Sequence, residues 1–196
     1  MRKLHLLLIP VLLLVPVLAL SACGGGESDE DQVVETIETS ILSEDPADCE
    51  RLATLQFLEQ TQFTEGQGAV ESCEEDAKDD EGDADSVDVT NVEVDGSNAT
   101  ADAAFGGGTF DGQTFSVALI EEDGDWKLNE ITGFAEFDGD RLAETFEEEF
   151  KSESGADPKV ASCIGDQFRE LGQSEFEAFI LGGETQPLAE IFEACE

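Results

Sequence analysis

The chain has 196 residues, 48 of them Asp or Glu against 9 Lys or Arg, and a formal net charge of −39 at pH 7. A field of that sign repels nucleic acid and anionic lipid headgroups, so neither is expected as a ligand. There is no tyrosine and a single histidine, His5, which lies in a leader expected to be removed; this excludes Ser-His-Asp and Cys-His catalysis and histidine-ligated zinc or haem.

Arg2 and Lys3 precede an apolar run from Leu6 to Leu20, and the small residues Ser21 and Ala22 follow. Basic, then apolar, then small is the order of a secretory signal. Pro10 and Pro16 interrupt the run, which is shorter than the roughly 20 residues of a transmembrane helix. Cys23, directly after Leu20-Ser21-Ala22, resembles the lipobox cysteine of bacterial lipoproteins. The resemblance implies lipidation of the Cys23 thiol and cleavage just before it. The protein would then sit on the extracytoplasmic face of the cell membrane, with the N-terminal lipid as its membrane contact. The alternative is a secreted chain whose cysteine falls beside the cleavage site.

Residues 1–22 are therefore read as signal peptide. Residues 23–30, with Gly24-Gly25-Gly26 and the acidic start of Glu27-Ser28-Asp29-Glu30-Asp31, are read as lipidated cysteine and flexible tether. Removing the signal takes away Arg2 and Lys3 but no acid, which leaves 174 residues at a net charge of −41. The acids run along the whole chain, as on a folded surface that repels itself less as salt rises. A high-salt habitat accounts for that excess most simply, and dedicated cation binding is the alternative.

Residues 31–43 carry Val33, Val34, Ile37, Ile41 and Leu42 as a helical apolar stripe. Asp45 with Pro46 predicts the start of a second helix bearing Cys49 and Leu52. Thr54 predicts a cap for a short turn carrying Leu55, Phe57 and Leu58. After Gly66 and Gly68 a further helix presents Ala69, Val70, Cys73 and Ala77. Four cysteines remain besides Cys23, and an exported location is oxidising, so two disulfides are expected. Three pairings are possible. Spacing favours Cys49–Cys73 and Cys163–Cys195 over the others, and over a metal site, since there is no C-x-x-C pair or partner histidine.

Apart from Lys78, the run Glu74–Asp85 is all acidic and small residues, yet it misses the EF-hand order of ligands. Asn91, Glu93, Asp95, Gly96 and Asp102 fit that order loosely. However, Val87, Val89, Val92 and Val94, then Asp95-Gly96-Ser97-Asn98, then Thr100–Phe105 predict a hairpin instead. Two more strands are expected, Thr109–Ile120, interrupted by Asp111-Gly112, and Trp126–Phe134, joined through the turn Glu122-Asp123-Gly124-Asp125. The first of these, with Phe115, Val117 and Leu119 alternating with Ser116, Ala118 and Ile120, is expected to be buried on both faces. Gly106-Gly107-Gly108 lacks the lysine and the following helix of a phosphate loop, and is read as a loop or kink.

Helices followed by antiparallel strands that close on Trp126-Lys127-Leu128 resemble the NTF2-like (cystatin-like) domains of actinobacterial lipoproteins, over residues 31–134. The resemblance implies an α+β fold in which a curved sheet wraps the first helix around a conical pocket. From Phe137 only helical pattern remains. Asp138–Phe150 carries Leu142, Ala143, Phe146 and Phe150, and Asp157-Pro158 opens a helix through Val160, Cys163, Ile164, Phe168 and Leu171. Ser174 with Glu177 forms a capping box before Phe176, Phe179, Ile180 and Leu181, ended by Gly182-Gly183. Pro187 opens a last helix through Ile191, Phe192 and Cys195. Residues 138–196 are thus read as a small all-α module, with the phenylalanines as core.

The expectation is an exported, lipid-anchored, non-enzymatic binding or structural protein of the cell envelope. It has no catalytic residue, cofactor or metal site, and its partner is an envelope protein or a small ligand. The alternatives are an acid-based hydrolase or isomerase in the pocket, which needs a buried Asp or Glu of raised pKa, and a calcium-binding acidic surface.

Overall fold

The computed structural model describes residues 28–78, 84–152, 157–181 and 186–195. The leader, Cys23, the middle of the acidic run and Gly182-Gly183 lie outside the described residues. The elements run α1 (Asp29–Leu42), α2 (Asp48–Leu52), α3 (Leu55–Gln62), α4 (Gln67–Asp76), β1 (Ser86–Asp95), β2 (Asn98–Gly106), β3 (Thr114–Glu122), β4 (Asp125–Glu136), α5 (Gly139–Ser152), α6 (Pro158–Glu170), α7 (Gln173–Ile180) and α8 (Gln186–Cys195). The fold class is α+β, a curved four-stranded antiparallel sheet in the order β1-β2-β3-β4 with helices before and after it.

Helix α1 begins inside the expected tether. Ser28 caps it, its hydroxyl accepting from the Asp31 N–H at 3.1 Å while the Asp31 carboxylate accepts from the Ser28 N–H at 3.2 Å. Three acids in the first turn suit the positive end of the helix dipole. Val33 and Ile37 are fully buried, whereas Leu42, at the far end of the stripe, is 44% exposed. α1 touches both edge strands, β1 and β4. Four strands spaced about 4.8 Å apart span some 14 Å, so one helix reaches both edges only because the sheet curls around it. Three alanines of β2 (Ala99, Ala101 and Ala103) are buried on the inner face, where a larger residue would hold the helix off.

The valines of β1 explain themselves in the register. Val89 and Val92 are three apart, which would turn the second pair to the wrong face in a period of two. A bulge absorbs the extra residue: the β1–β2 register shifts between Thr90 and Glu93, and Asn91 takes a left-handed φ of 52°. Val87, Val89, Val92 and Val94 then all lie against the core. At the β3–β4 turn, Asp123 and Gly124 both have positive φ, 56° and 95°, as a two-residue hairpin turn of the right twist requires.

Three local expectations are corrected. Strand β3 starts at Thr114, and Phe110–Gln113 form turns before it. Phe115, Val117 and Leu119 are buried, but Ser116, Ala118 and Ile120 on the opposite face are only half-covered. Helix α2 starts at Asp48 rather than at Pro46: Asp45 accepts from the Ala47 N–H at 3.0 Å, and residues 46–47 form a turn. Helix α7 is capped at Gly172, whose N–H donates to the Glu175 carboxylate at 2.8 Å. Glu177 is thereby freed to reach the sheet.

The free edge of β4 is covered along its length. The Thr54 N–H donates to the Leu128 carbonyl at 2.8 Å, beside a bridge between Ala53 and Leu128. The Gln60 side chain pairs both polar groups of Ile131, donating to its carbonyl at 3.0 Å and accepting from its N–H at 2.8 Å. Glu177 accepts from the Phe134 N–H at 3.2 Å, and the Gln173 amide donates to the Phe134 carbonyl at 3.4 Å. An open strand edge invites further strands, and these contacts block it. Gln113 uses the same two-point pairing in the interior: fully buried, it donates to the Asp138 carbonyl and accepts from the Asp138 N–H, both at 3.0 Å.

The C-terminal helices share the sheet's apolar core. Ring contacts run from Phe115 to Phe134 (4.5 Å), Phe137 (5.0 Å), Phe176 (5.6 Å), Phe168 (5.5 Å) and Phe146 (4.7 Å). The disulfides are Cys49–Cys73, tying α2 to α4, and Cys163–Cys195, tying α6 to α8.

Candidate functional site

Between the inner face of the sheet and helices α1 to α4 lies a cavity of about 440 Å³, closed at one end by α5 and α7. Its floor is the sheet: Phe105, Phe115, Val117, Leu128 and Ile131. Phe110, from the turn before β3, makes edge-to-face contacts with Phe105 and Phe115 at 6.3 and 5.3 Å. Opposite stand Phe57 and Leu58 of α3, and the Cys49–Cys73 bridge forms part of the wall. A volume at the lower end of the roughly 300–1,000 Å³ of small-molecule sites, with a largely apolar lining, is the form such pockets take.

Two helices position this wall by local chemistry. Thr54 caps α3, its hydroxyl accepting from the Phe57 N–H at 3.3 Å, so Phe57 and Leu58 emerge in the first turn and face the sheet. The Gln60 clamp on Ile131 then fixes the distance between α3 and β4. Phe63 follows α3 with a left-handed φ of 50°, half-exposed, and its ring stacks on Phe179 of α7 at 5.5 Å and 13°. Both rings line the cavity. A bulky residue at positive φ carries strain of order 1–3 kcal/mol, and the stack holds it there.

The acidic part of the lining is gathered where α1 ends and α2 begins, with Asp45 and Asp48 beside Ser40 and Ser43, and at Asp76 at the end of α4, while Thr61, Gln62 and Thr109 supply neutral polar groups elsewhere. Asp45 and Asp76 are exposed, so this end is the rim. The Ser43 hydroxyl donates to Asp48 at 2.5 Å and the Arg51 guanidinium adds its own bonds and charge, which together hold the Asp48 carboxyl below the usual range. Elsewhere Asp111 is lowered by the Gly107 N–H and then by Arg141, Glu147 by Lys151 and then Arg169, and Glu177 by Gln173 and then the Phe134 N–H. None of these has the raised pKa that acid-driven catalysis in the pocket calls for, and no carboxylate among the described residues is buried.

The predicted site residues fall in three places. Cys23 is outside the described residues. Cys49 and Cys73 are bonded in the cavity wall, and Cys163 and Cys195 are bonded away from it. The loosely calcium-like set lies along β1 and β2, where the Asn91 amide donates to Asp102 at 2.8 Å. Among the described residues no three potential ligands cluster for a metal. Sequence reasoning missed the cavity lining. Phe168 and Phe176 are core as expected, but Phe146 and Phe179, read as core too, also face the cavity.

What fold and site define together is an α+β protein with an apolar, acid-rimmed pocket. Compared with known protein families, curated proteins and solved structures, the chain matches none. Among the described residues no helix is long and apolar enough to cross a membrane.

Proposed function

We propose that the protein is an exported lipoprotein of the NTF2-like type, anchored through Cys23 on the extracytoplasmic face of the cell membrane. There it binds a small apolar molecule non-enzymatically. The observation that carries the reading is the apolar cavity itself: aromatic side chains face an open space that folding alone would be expected to fill. The anchor reading rests on the lipobox-like Leu20-Ser21-Ala22-Cys23 and the short polar segment that joins it to α1. No nucleic acid is expected as partner, given the charge.

Two measurements test the two halves. Intact mass of the membrane-extracted protein should match a chain starting at Cys23 plus diacylglycerol or more; an unlipidated mass removes the anchor. A soluble chain from Gly24 keeps every described residue and hence the whole core. It should bind an environment-sensitive apolar dye with one-to-one stoichiometry; no binding removes the pocket's role.

A further inference from the structure

Building on the pocket reading, we infer that the ligand is a long-chain amphiphile whose head donates hydrogen bonds and carries no negative charge, an alcohol or ammonium head rather than a carboxylate or phosphate. Among the described residues no Lys or Arg lines the cavity, so none of those lining side chains neutralises an anionic head. Of the described cations close in sequence to the rim, Arg51 is held by Asp48 at 2.6 Å, and Lys78 follows the lining residue Ala77 without itself lining the cavity. The rim instead offers acceptors. Asp48 stays ionised on its Ser43 and Arg51 contacts, Asp45 spends one oxygen on the Ala47 N–H, and Asp76 is exposed. An anion entering past three carboxylates meets like charge at short range, which disfavours it. A donor head finds partners there while its chain lies along Phe57, Phe115 and Ile131. Apolar interior and acidic rim thus select the two ends of one molecule.

The test titrates the Gly24 chain with dodecylamine and dodecanoate below their micelle concentrations, and with dodecanol below its solubility limit, at physiological salt, by calorimetry. The amine and the alcohol should bind one per chain, and the carboxylate at least tenfold more weakly. Because the whole protein is acidic, the local origin is checked with Asp45→Asn/Asp76→Asn, which should narrow the amine-over-carboxylate ratio severalfold. An equal change of charge at Asp88→Asn/Glu93→Gln, exposed on β1 away from the rim, should leave the ratio unchanged. If dodecanoate binds as tightly as the amine, the head-group inference is overturned while the pocket reading stands. Failure of all three to bind sinks the pocket reading itself. Amine binding at many sites, or a ratio that both double variants change alike, shows adsorption to the surface charge and overturns the inference.

Discussion

Breaking the Cys49–Cys73 bridge probes both stability and the pocket. The bridge closes a loop with a sequence separation of 24. Chain-entropy arithmetic for that loop gives about 3.5 kcal/mol at 25 °C. For a chain of this size each kcal/mol moves Tm by roughly 2–4 °C. Cys49→Ala/Cys73→Ala should therefore melt about 10 °C lower, followed by circular dichroism under non-reducing conditions. Cys163–Cys195 closes a separate loop of separation 32, for which the same arithmetic gives a slightly larger cost. The two loops do not overlap, so the quadruple variant should show the sum. Only the first bridge walls the cavity, so dye affinity at a temperature where both double variants are folded should fall for Cys49→Ala/Cys73→Ala alone. A Tm within about 2 °C of wild type for the first variant would refute the loop argument. Equal dye affinities in the two double variants would refute the wall argument.

Gln113→Ala should cost about 1–2 kcal/mol in urea titration, because it removes both hydrogen bonds of a fully buried side chain and takes from the Asp138 N–H its side-chain acceptor. Glu177 gives a pH signature. Its folded pKa is depressed below the ordinary glutamate value of 4.5, so its contribution is present above that value and is lost as pH falls through the lowered one. The stability gap between wild type and Glu177→Gln should be full at pH 7 and close on acidification; a gap that widens towards low pH would contradict the assignment. Thermal stability should rise as sodium chloride is raised from low to molar concentration, since screening relieves repulsion among the surface acids, and a flat or falling Tm would show that the acids are neutralised some other way.

The secondary structure was legible wherever a local rule decides it. Thr54 caps α3, Asp157 caps α6 at Lys159, and Asp123-Gly124 turns β3 into β4, each by a contact within a few residues. The disulfide pairing was legible from spacing because each bridge links helices near in sequence. Where two local rules competed, reading failed. Ser174 and Glu177 have capping-box spacing, yet Gly172 and Glu175 take that role because Glu177 gains the Phe134 N–H on β4. Nothing nearby in sequence announces a partner 43 residues away.

The amino-acid sequence by itself determined the α+β class, the order of the elements, the cysteine pairs and an acidic surface, because helix periodicity, turn chemistry and charge act over a few residues. Only the tertiary structure decided that Gln60 and Gln113 act as backbone clamps, and that Phe115, Phe146 and Phe179 meet around one cavity. Those outcomes depend on how far the sheet curls around α1 and where α5 and α7 close its end. Curvature of that kind is set by packing summed over the whole core, and no short stretch of the chain records it.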